Sequence, residues 1–144
     1  MSQPRPTPEQ MKQFNQTIIA EFRANAGKVG GPFEGQPMVL LTTVGARSGK
    51  SHTTPLVSGL DGDTRFVVAS FAGAPKHPAW YHNLLANPSV QVEAGEERYQ
   101  ATARPADEPK RSELYAAMEN QMSAFTDYRQ ATDRTIPVVL LERA

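Results

Sequence analysis

The stretch MVLLTTVGARSGKSHTTPLVS, residues 38–58, decides the fold. It opens with an apolar, β-branched run, residues 38–44, which is typical of a strand. The glycine-containing segment 45–50 then turns the chain, and a threonine-rich segment, residues 51–58, follows it. Two strand-like segments joined by a short glycine turn predict a β-hairpin.

More strands are predicted on the C-terminal side of this hairpin. Asp61-Gly62-Asp63 is typical of a tight turn and leads into a strand over residues 65–71. Residues 90–94 and 98–104 flank a glycine turn as a second hairpin, and residues 136–141 form a last strand. Because hairpins join neighbouring strands, we expect a mostly antiparallel sheet of about six strands.

Three helices are predicted around these strands. Residues 7–10, Thr-Pro-Glu-Gln, have the pattern of a capping box with a proline in the first turn. Pro78 can start a short helix over residues 79–86, and residues 107–109 can cap a third helix. The apolar positions of the first helix are Met11, Phe14, Ile18 and Phe22, and those of the third are Leu114, Met118, Met122 and Phe125. This order predicts an α+β fold, a small barrel with flanking helices.

Bulk composition limits the function. A chain of 144 residues predicts one domain spanning residues 1–144, of which residues 1–6 are expected to be disordered. Fifteen Lys and Arg balance fifteen Asp and Glu, so no long-range field would attract nucleic acid. There is no cysteine, which excludes a disulfide framework and a thiol nucleophile. Without a secretory leader or a run of about 18 apolar residues, we expect a cytoplasmic protein with no integral membrane segment.

Three common kinds of site do not fit the motifs. The segment GARSGKS lacks the four residues between glycines, and the following helix, that a P-loop requires. The histidines His52, His77 and His82 have no acidic residue at ligand spacing, so no metal site is expected. A nucleophile elbow of the G-x-S-x-G type is missing, which argues against a hydrolase triad.

Two segments could bind an anionic, planar ligand. Arg47, Lys50 and His52 surround a glycine turn whose N–H groups could hold an anion, although a solvated hairpin tip explains the same residues. In the segment HPAWYHNLLANP, residues 77–88, the helix start could approach such a ligand. The alternative is that Trp80 fills the core and the asparagine satisfies backbone groups.

Several separated segments resemble the deazaflavin-dependent nitroreductase family. They are GARSGK (45–50), TTPL (53–56), VVASFAGAPKHPAWYHNLLANP (67–88) and TDYRQATDRTIPVVLLE (126–142). In unbroken order, they place the resemblance over roughly residues 38–142. The resemblance implies a split β-barrel of the FMN-binding type that binds the deazaflavin coenzyme F-420.

The resemblance also implies which residues hold the cofactor. Those expected around its phosphate and polyglutamate tail are Arg47, Ser48, Lys50 and His52. Those expected beside its ring system are Thr53, Thr54, Pro55 and Leu56 on the next strand. Those expected to touch it at the following strand end and loop are Val68, Ala69, Ser70, Phe71, Ala72 and Gly73. Those expected to wall its other side are Ala79, Trp80, Tyr81 and Asn83.

The implied chemistry is hydride transfer from reduced F-420 to an activated alkene, a quinone or a nitro compound, small and hydrophobic. Ser70 or Tyr128 would polarise the acceptor or relay a proton. The expected substrate pocket is lined by Met118, Met122, Phe125 and Tyr128. Two alternatives stay open: an FMN-dependent reductase on the same barrel, and a non-catalytic carrier of deazaflavin or haem. The protein would act as a monomer or a homodimer.

Overall fold

The computed structural model describes residues 7–144 of the chain. These residues contain six strands and four α-helices, joined by turns and loops. The predicted disorder of residues 1–6 falls outside these residues. The helices are α1 (Pro8–Ala24), α2 (Ala79–Ala86), α3 (Lys110–Gln121) and α4 (Ala124–Gln130), and the strands are β1 (Met38–Val44), β2 (Ser51–Asp61), β3 (Thr64–Val68), β4 (Ser89–Ala94), β5 (Glu97–Pro105) and β6 (Val138–Arg143).

The strands close into one antiparallel barrel with the order β1-β2-β3-β6-β5-β4. The predicted hairpins β1–β2 and β4–β5 are present, and Met38 pairs with Val57 at the far end of the first. β6 pairs with both β3 and β5, and β4 pairs with β1, which completes the ring. The predicted mostly antiparallel, six-strand split barrel with flanking helices is confirmed.

Two apolar cores lie on opposite faces of the barrel wall. The barrel interior is filled by alternate residues of the strands, including Val39 and Leu41, and α2 adds Trp80 and Leu84 to it. The outer core lies between β1, β2, β3 and β6 and the helices α1, α3 and α4. A strand exposes successive side chains to opposite faces, which is why each strand can serve both cores.

The first helix forms as its capping residues predict. The Thr7 hydroxyl accepts from Gln10 N–H, and the Gln10 side chain accepts from Thr7 N–H. Ile18 and Phe22 are buried in the outer core, whereas Phe14, predicted on the same stripe, is 45% exposed. No helix within residues 7–144 combines the length and the apolar character that membrane crossing requires.

The predicted third helix was wrong in its extent. It ends at Gln121, because Met122 has extended backbone angles (φ −149°, ψ 109°), and a separate helix, α4, begins two residues later. The break lets the Tyr115 hydroxyl donate to the Phe125 carbonyl at 2.6 Å. The apolar spacing that predicted one helix thus runs across two.

Several strand ends also differ from the predictions. β3 ends at Val68 instead of at residue 71, because the chain enters a left-handed turn beyond Ser70. β2 continues to Asp61, beyond the predicted end at residue 58. β6 begins at Val138, since Pro137 lacks the N–H that a ladder position needs.

Candidate functional site

The turn between β1 and β2 presents unpaired backbone donors to solvent. Gly45 N–H donates to the Lys50 carbonyl at 2.8 Å, and Gly49 N–H donates to the Gly45 carbonyl at 3.0 Å. Among residues 7–144, the N–H groups of Arg47 and Ser48 have no acceptor. The side chains of Arg47 and Lys50 are exposed beside them. Free amides next to two cations are an arrangement that can bind an anion.

Asn83 of α2 ties this turn to the barrel. Its side-chain oxygen accepts from Ala46 N–H at 3.0 Å, and its amide nitrogen donates to the Thr43 hydroxyl at 3.3 Å. Thr43 is fully buried at the end of β1. The Asn83 amide therefore satisfies a backbone N–H and a buried hydroxyl, as the alternative to a ligand role expected. The same contacts hold α2 against the β1–β2 turn.

The segment Thr53 to Leu56 does not present one continuous surface. In the β1–β2 register, Thr54 lies opposite Leu41 and Leu56 opposite Val39, so both face the barrel interior. Thr53 and Pro55 face the other side, where the Thr53 and Thr42 hydroxyls lie 2.8 Å apart. Side chains from alternate residues can therefore reach a ligand on either face. His52 lies opposite Thr43 and is exposed.

The loop after β3 has strained backbone. Phe71, Ala72 and Gly73 take φ values of 48°, 51° and 76° in succession, in a region that costs non-glycine residues energy. Gly73 lies against α4, where an added Cβ would be 2.9 Å from the Tyr128 carbonyl oxygen and 2.8 Å from Ala131 Cβ. The loop and α4 are thus in close contact at the strained residues. Val68 and Ala69, which precede the loop, are buried.

Ser70 opens this loop with its backbone held and its hydroxyl unpaired. The Ser70 carbonyl accepts from Gly73 N–H at 2.9 Å, and the preceding residue, Ala69, donates its N–H to the Pro137 carbonyl at 2.9 Å. Ser70 is only 7% exposed, and its hydroxyl has no hydrogen-bond partner within residues 7–144. Since those residues leave no fully buried side-chain polar atom without a partner, the hydroxyl oxygen reaches the surface.

Arg134, which sequence reasoning missed, holds the same loop. Its guanidinium donates to the carbonyls of Ala74 at 2.9 Å and Ser70 at 2.7 Å, and also lies 3.0 Å from His77 Nδ1. A fourth hydrogen bond reaches the Ala69 carbonyl at 3.2 Å. Arg134 lies in the segment 126–142 that resembles the family, but it stands among other polar residues, and no sequence pattern marks it as part of the site.

The four residues predicted to line a substrate pocket divide between core and surface. Met118 is fully buried and Phe125 is 6% exposed, so neither presents surface to a ligand in this conformation. Met122 and Tyr128 are half-buried. The Tyr128 ring packs edge-on against Phe125 with centroids 5.2 Å apart, and burial raises the pKa of its phenol.

The start of α2 lines the other side of the loop. Trp80 is buried in the barrel interior, as the core-packing alternative expected, while Tyr81 is half-buried and Ala79 is exposed. The rings of Tyr81 and His77 lie 4.9 Å apart. Desolvation, followed by the charge of Arg134, lowers the pKa of His77, and no cluster of three metal-ligating side chains occurs in the described residues.

Sequence comparisons identify relatives of this chain. The sequence model of the family described as F420H(2)-dependent quinone reductase matches residues 14–143. The chain is 40% identical over 128 residues to an F420H(2)-dependent quinone reductase of Mycobacterium tuberculosis, covering 86% of each chain.

Solved structures agree as well. One titled F420-H2 dependent reductase (FDR-A) is 38% identical with a TM-score of 0.68, covering 74% of this chain and 94% of the other. Another, titled as a domain-swapped dimer, has the same identity and TM-score and covers 74% of this chain and 80% of its own. A family match over nearly the whole chain, with 40% identity to a curated relative, places this protein in the F420H(2)-dependent quinone reductase family.

Proposed function

We propose that this protein is an oxidoreductase that uses reduced coenzyme F-420 to transfer hydride to a quinone. The relatives named as F420H(2)-dependent reductases support the reaction class. The observation that carries the proposal is the pair of free amides beside Arg47 and Lys50 at the β1–β2 turn, which Asn83 joins to α2. The loop after β3 adds the unpaired Ser70 hydroxyl. A cofactor with an anionic tail and a planar ring needs a place for the tail, which the turn would supply, and a place for the ring, which the loop would border.

The tail would bind at the turn. The free N–H groups of Arg47 and Ser48 can donate to phosphate oxygens, and the exposed side chains of Arg47 and Lys50 can pair with the phosphate and with tail carboxylates. His52, exposed on the neighbouring strand, is a further donor for this anion. These residues suit a phosphorylated ligand and require no metal.

The ring system would lie between the β3 loop and α2. Backbone groups of Val68 to Gly73 would border one side, with Thr54 and Leu56 of β2 available from the barrel face. The helix α2 has no side-chain N-cap, and although Tyr81 N–H donates to the Pro78 carbonyl, the N–H groups of Ala79 and Trp80 remain available to polar ring atoms. The residues of α2 assigned to this wall are Ala79, Trp80, Tyr81 and Asn83.

When bound, reduced F-420 supplies the hydride, and the chain orients the acceptor. The Ser70 hydroxyl, without an intramolecular partner, can donate a hydrogen bond to a quinone oxygen. Because burial raises the pKa of Tyr128, its phenol stays protonated at neutral pH and can also donate. The half-buried Met122 and Tyr128 suit a hydrophobic acceptor.

The oligomeric state and the cellular location of the protein rest on fewer observations than its reaction does. The solved relative titled as a domain-swapped dimer favours a homodimer. The balanced charge gives no reason to expect a nucleic-acid partner, and a small quinone acceptor suits a cytoplasmic reductase.

The proposal is tested by binding and turnover with purified protein. Titrations with oxidised F-420, FMN and FAD should show preferential binding of F-420. Mixing the protein with reduced F-420 and menadione should then oxidise the cofactor with one menadiol formed per F-420 consumed. Preferential FMN binding without deazaflavin turnover would make the protein an FMN reductase, and F-420 binding without turnover across quinones, enones and nitroaromatics would make it a carrier.

A further inference from the structure

We propose that Arg134 is a positioning residue for this reaction: its guanidinium holds the loop that carries Ser70 and keeps His77 in one neutral tautomer. This inference rests on the proposed function for its link to catalysis. Four hydrogen bonds from one side chain converge on residues 69–77, and three of them reach backbone carbonyls. The acceptors lie 57 to 65 positions away in the chain, so these contacts fix tertiary structure.

The four hydrogen bonds involve all three nitrogens of the guanidinium, a set of donors that only arginine has. Nε donates to Ala74, Nη1 lies against His77, and Nη2 donates to both Ala69 and Ser70. Arginine presents five N–H donors in a rigid plane, and the four contacts can use four of these donors. A lysine at this position could make fewer of them from a single nitrogen.

The charge of Arg134 is not neutralised by a carboxylate. None of the ion pairs within residues 7–144 includes it, although Arg129, five positions earlier, pairs with Glu119. Burial lowers the pKa of Arg134, but an arginine keeps its proton at neutral pH. A half-buried cation is therefore held directly against the Ser70 carbonyl, with only neutral acceptors around it.

The tautomer of His77 follows from the same contact. Because an arginine nitrogen can only donate, His77 Nδ1 must accept, and the ring proton must lie on Nε2. The charged or titratable groups that face this ring are Arg134, from the segment before β6, and Tyr81 and His82 from α2. Protonation of Nδ1 would replace a hydrogen bond by repulsion between two cations.

The strained loop explains why such a clamp is needed. Phe71 and Ala72 have left-handed backbone, which persists only where the surroundings hold it. Arg134 binds the carbonyls on one side of these residues and the Ala74 carbonyl on the other. The backbone around Ser70 is thus fixed at both ends while its hydroxyl remains unpaired, which is the arrangement that a substrate-polarising group requires.

The test compares Arg134→Lys with Arg129→Lys, a matched control whose exposed side chain pairs with Glu119 and, within the described residues, makes no hydrogen bond to the loop. Arg134→Lys should lower kcat for menadione reduction on the order of 10- to 100-fold, with a smaller loss of F-420 affinity. Hydrogen exchange of the residue 69–77 segment should become faster in Arg134→Lys and stay unchanged in Arg129→Lys. Unchanged kcat and unchanged exchange in Arg134→Lys would overturn the proposal.

A second measurement needs neither turnover nor a variant that folds well. ¹⁵N NMR of the wild-type imidazole should show His77 as the Nε2–H tautomer, titrating below its ordinary value near 6.5. A protonated or Nδ1–H ring at neutral pH would overturn the clamp. A wild-type protein that shows this tautomer but binds no F-420 would instead refute the proposed function and leave the clamp intact.

Discussion

At single residues, the loop after β3 gives the sharpest stability prediction, at Gly73. Gly73→Ala should destabilise the fold by about 2 to 4 kcal/mol, because left-handed strain and a close approach to α4 add together. Urea unfolding measures the change. Gly35→Ala is the matched control: its φ is 80° but an added Cβ meets nothing within 4 Å, so it should lose only about 1 kcal/mol. Equal losses in the two variants would contradict the close packing.

Ser70 offers a test of chemistry without a change in stability. Its hydroxyl has no intramolecular partner, so Ser70→Ala should leave the denaturation midpoint nearly unchanged. Loss of a donor to the acceptor oxygen should lower kcat on the order of 10- to 100-fold. Steady-state kinetics and thermal unfolding on the same preparation separate the two effects. Full activity would remove Ser70 from the reaction and leave Tyr128 as the candidate donor.

Sequence reasoning reached some residues of the site and not others. Ser70 and Tyr128 came from the resemblance, and their roles stay predictions. Arg134 could not be found, because its acceptors lie about 60 positions earlier in the chain and no local pattern reports such contacts. The burial of Met118 could not be separated from pocket lining either, since an apolar residue on a helix suits both.

At the scale of elements, the β1–β2 turn predicts salt-dependent binding. Arg47→Gln combined with Lys50→Gln should raise the Kd for F-420 on the order of 10- to 100-fold, since each cation makes a charge-assisted contact. The dependence of Kd on NaCl should flatten. Cofactor titrations at low and high salt measure both. Neutralising Lys12 and Lys28, both exposed elsewhere, is the control and should change neither. An unaltered Kd in the double variant would identify the turn as a solvated hairpin tip.

Element types were largely predictable, and their ends were not. Turn residues and capping boxes act locally, so the two hairpins and the start of α1 follow from the sequence. The division between α3 and α4 depends on Met122 and on the Tyr115 hydroxyl reaching the Phe125 carbonyl. The apolar spacing continues through that break, so periodicity predicted a single helix.

At the scale of the whole molecule, Glu93 joins three elements and predicts acid sensitivity. Its buried carboxylate on β4 accepts from Arg23 of α1 at 2.9 Å and from Arg98 of β5 at 3.2 Å. The hydrogen bond from Arg23 lowers the pKa of Glu93 despite its burial. A lowered folded-state pKa stabilises the protein above the unfolded value near 4.5, and this stability is lost as the pH falls through the folded value.

Unfolding measured from pH 7 to pH 3 checks this expectation. Wild-type stability should decline below about pH 5. Glu93→Gln should be less stable by roughly 1 to 3 kcal/mol at pH 7 and should decline less steeply on acidification. Glu142→Gln breaks a pair with Arg104 that solvent screens, so its curve should stay close to that of the wild type. A steeper acid decline in Glu93→Gln than in wild type would refute the assignment.

The closure of the barrel lay beyond local pattern. Hairpins predict β1 beside β2 and β4 beside β5, but pairing of β3 with β6 and of β1 with β4 joins distant segments. The order of elements predicted a small barrel with flanking helices, and the resemblance alone implied the split type.

That closure has a consequence for how copies of the chain can misassemble. Every one of the six strands has a hydrogen-bonded neighbour on both sides. No strand of the folded molecule therefore has a wholly free edge on which a foreign strand could be added, the usual starting point of fibrillar aggregation. Strand addition along a whole edge requires two paired strands to separate first, so at a given protein concentration faster barrel opening should favour fibrils.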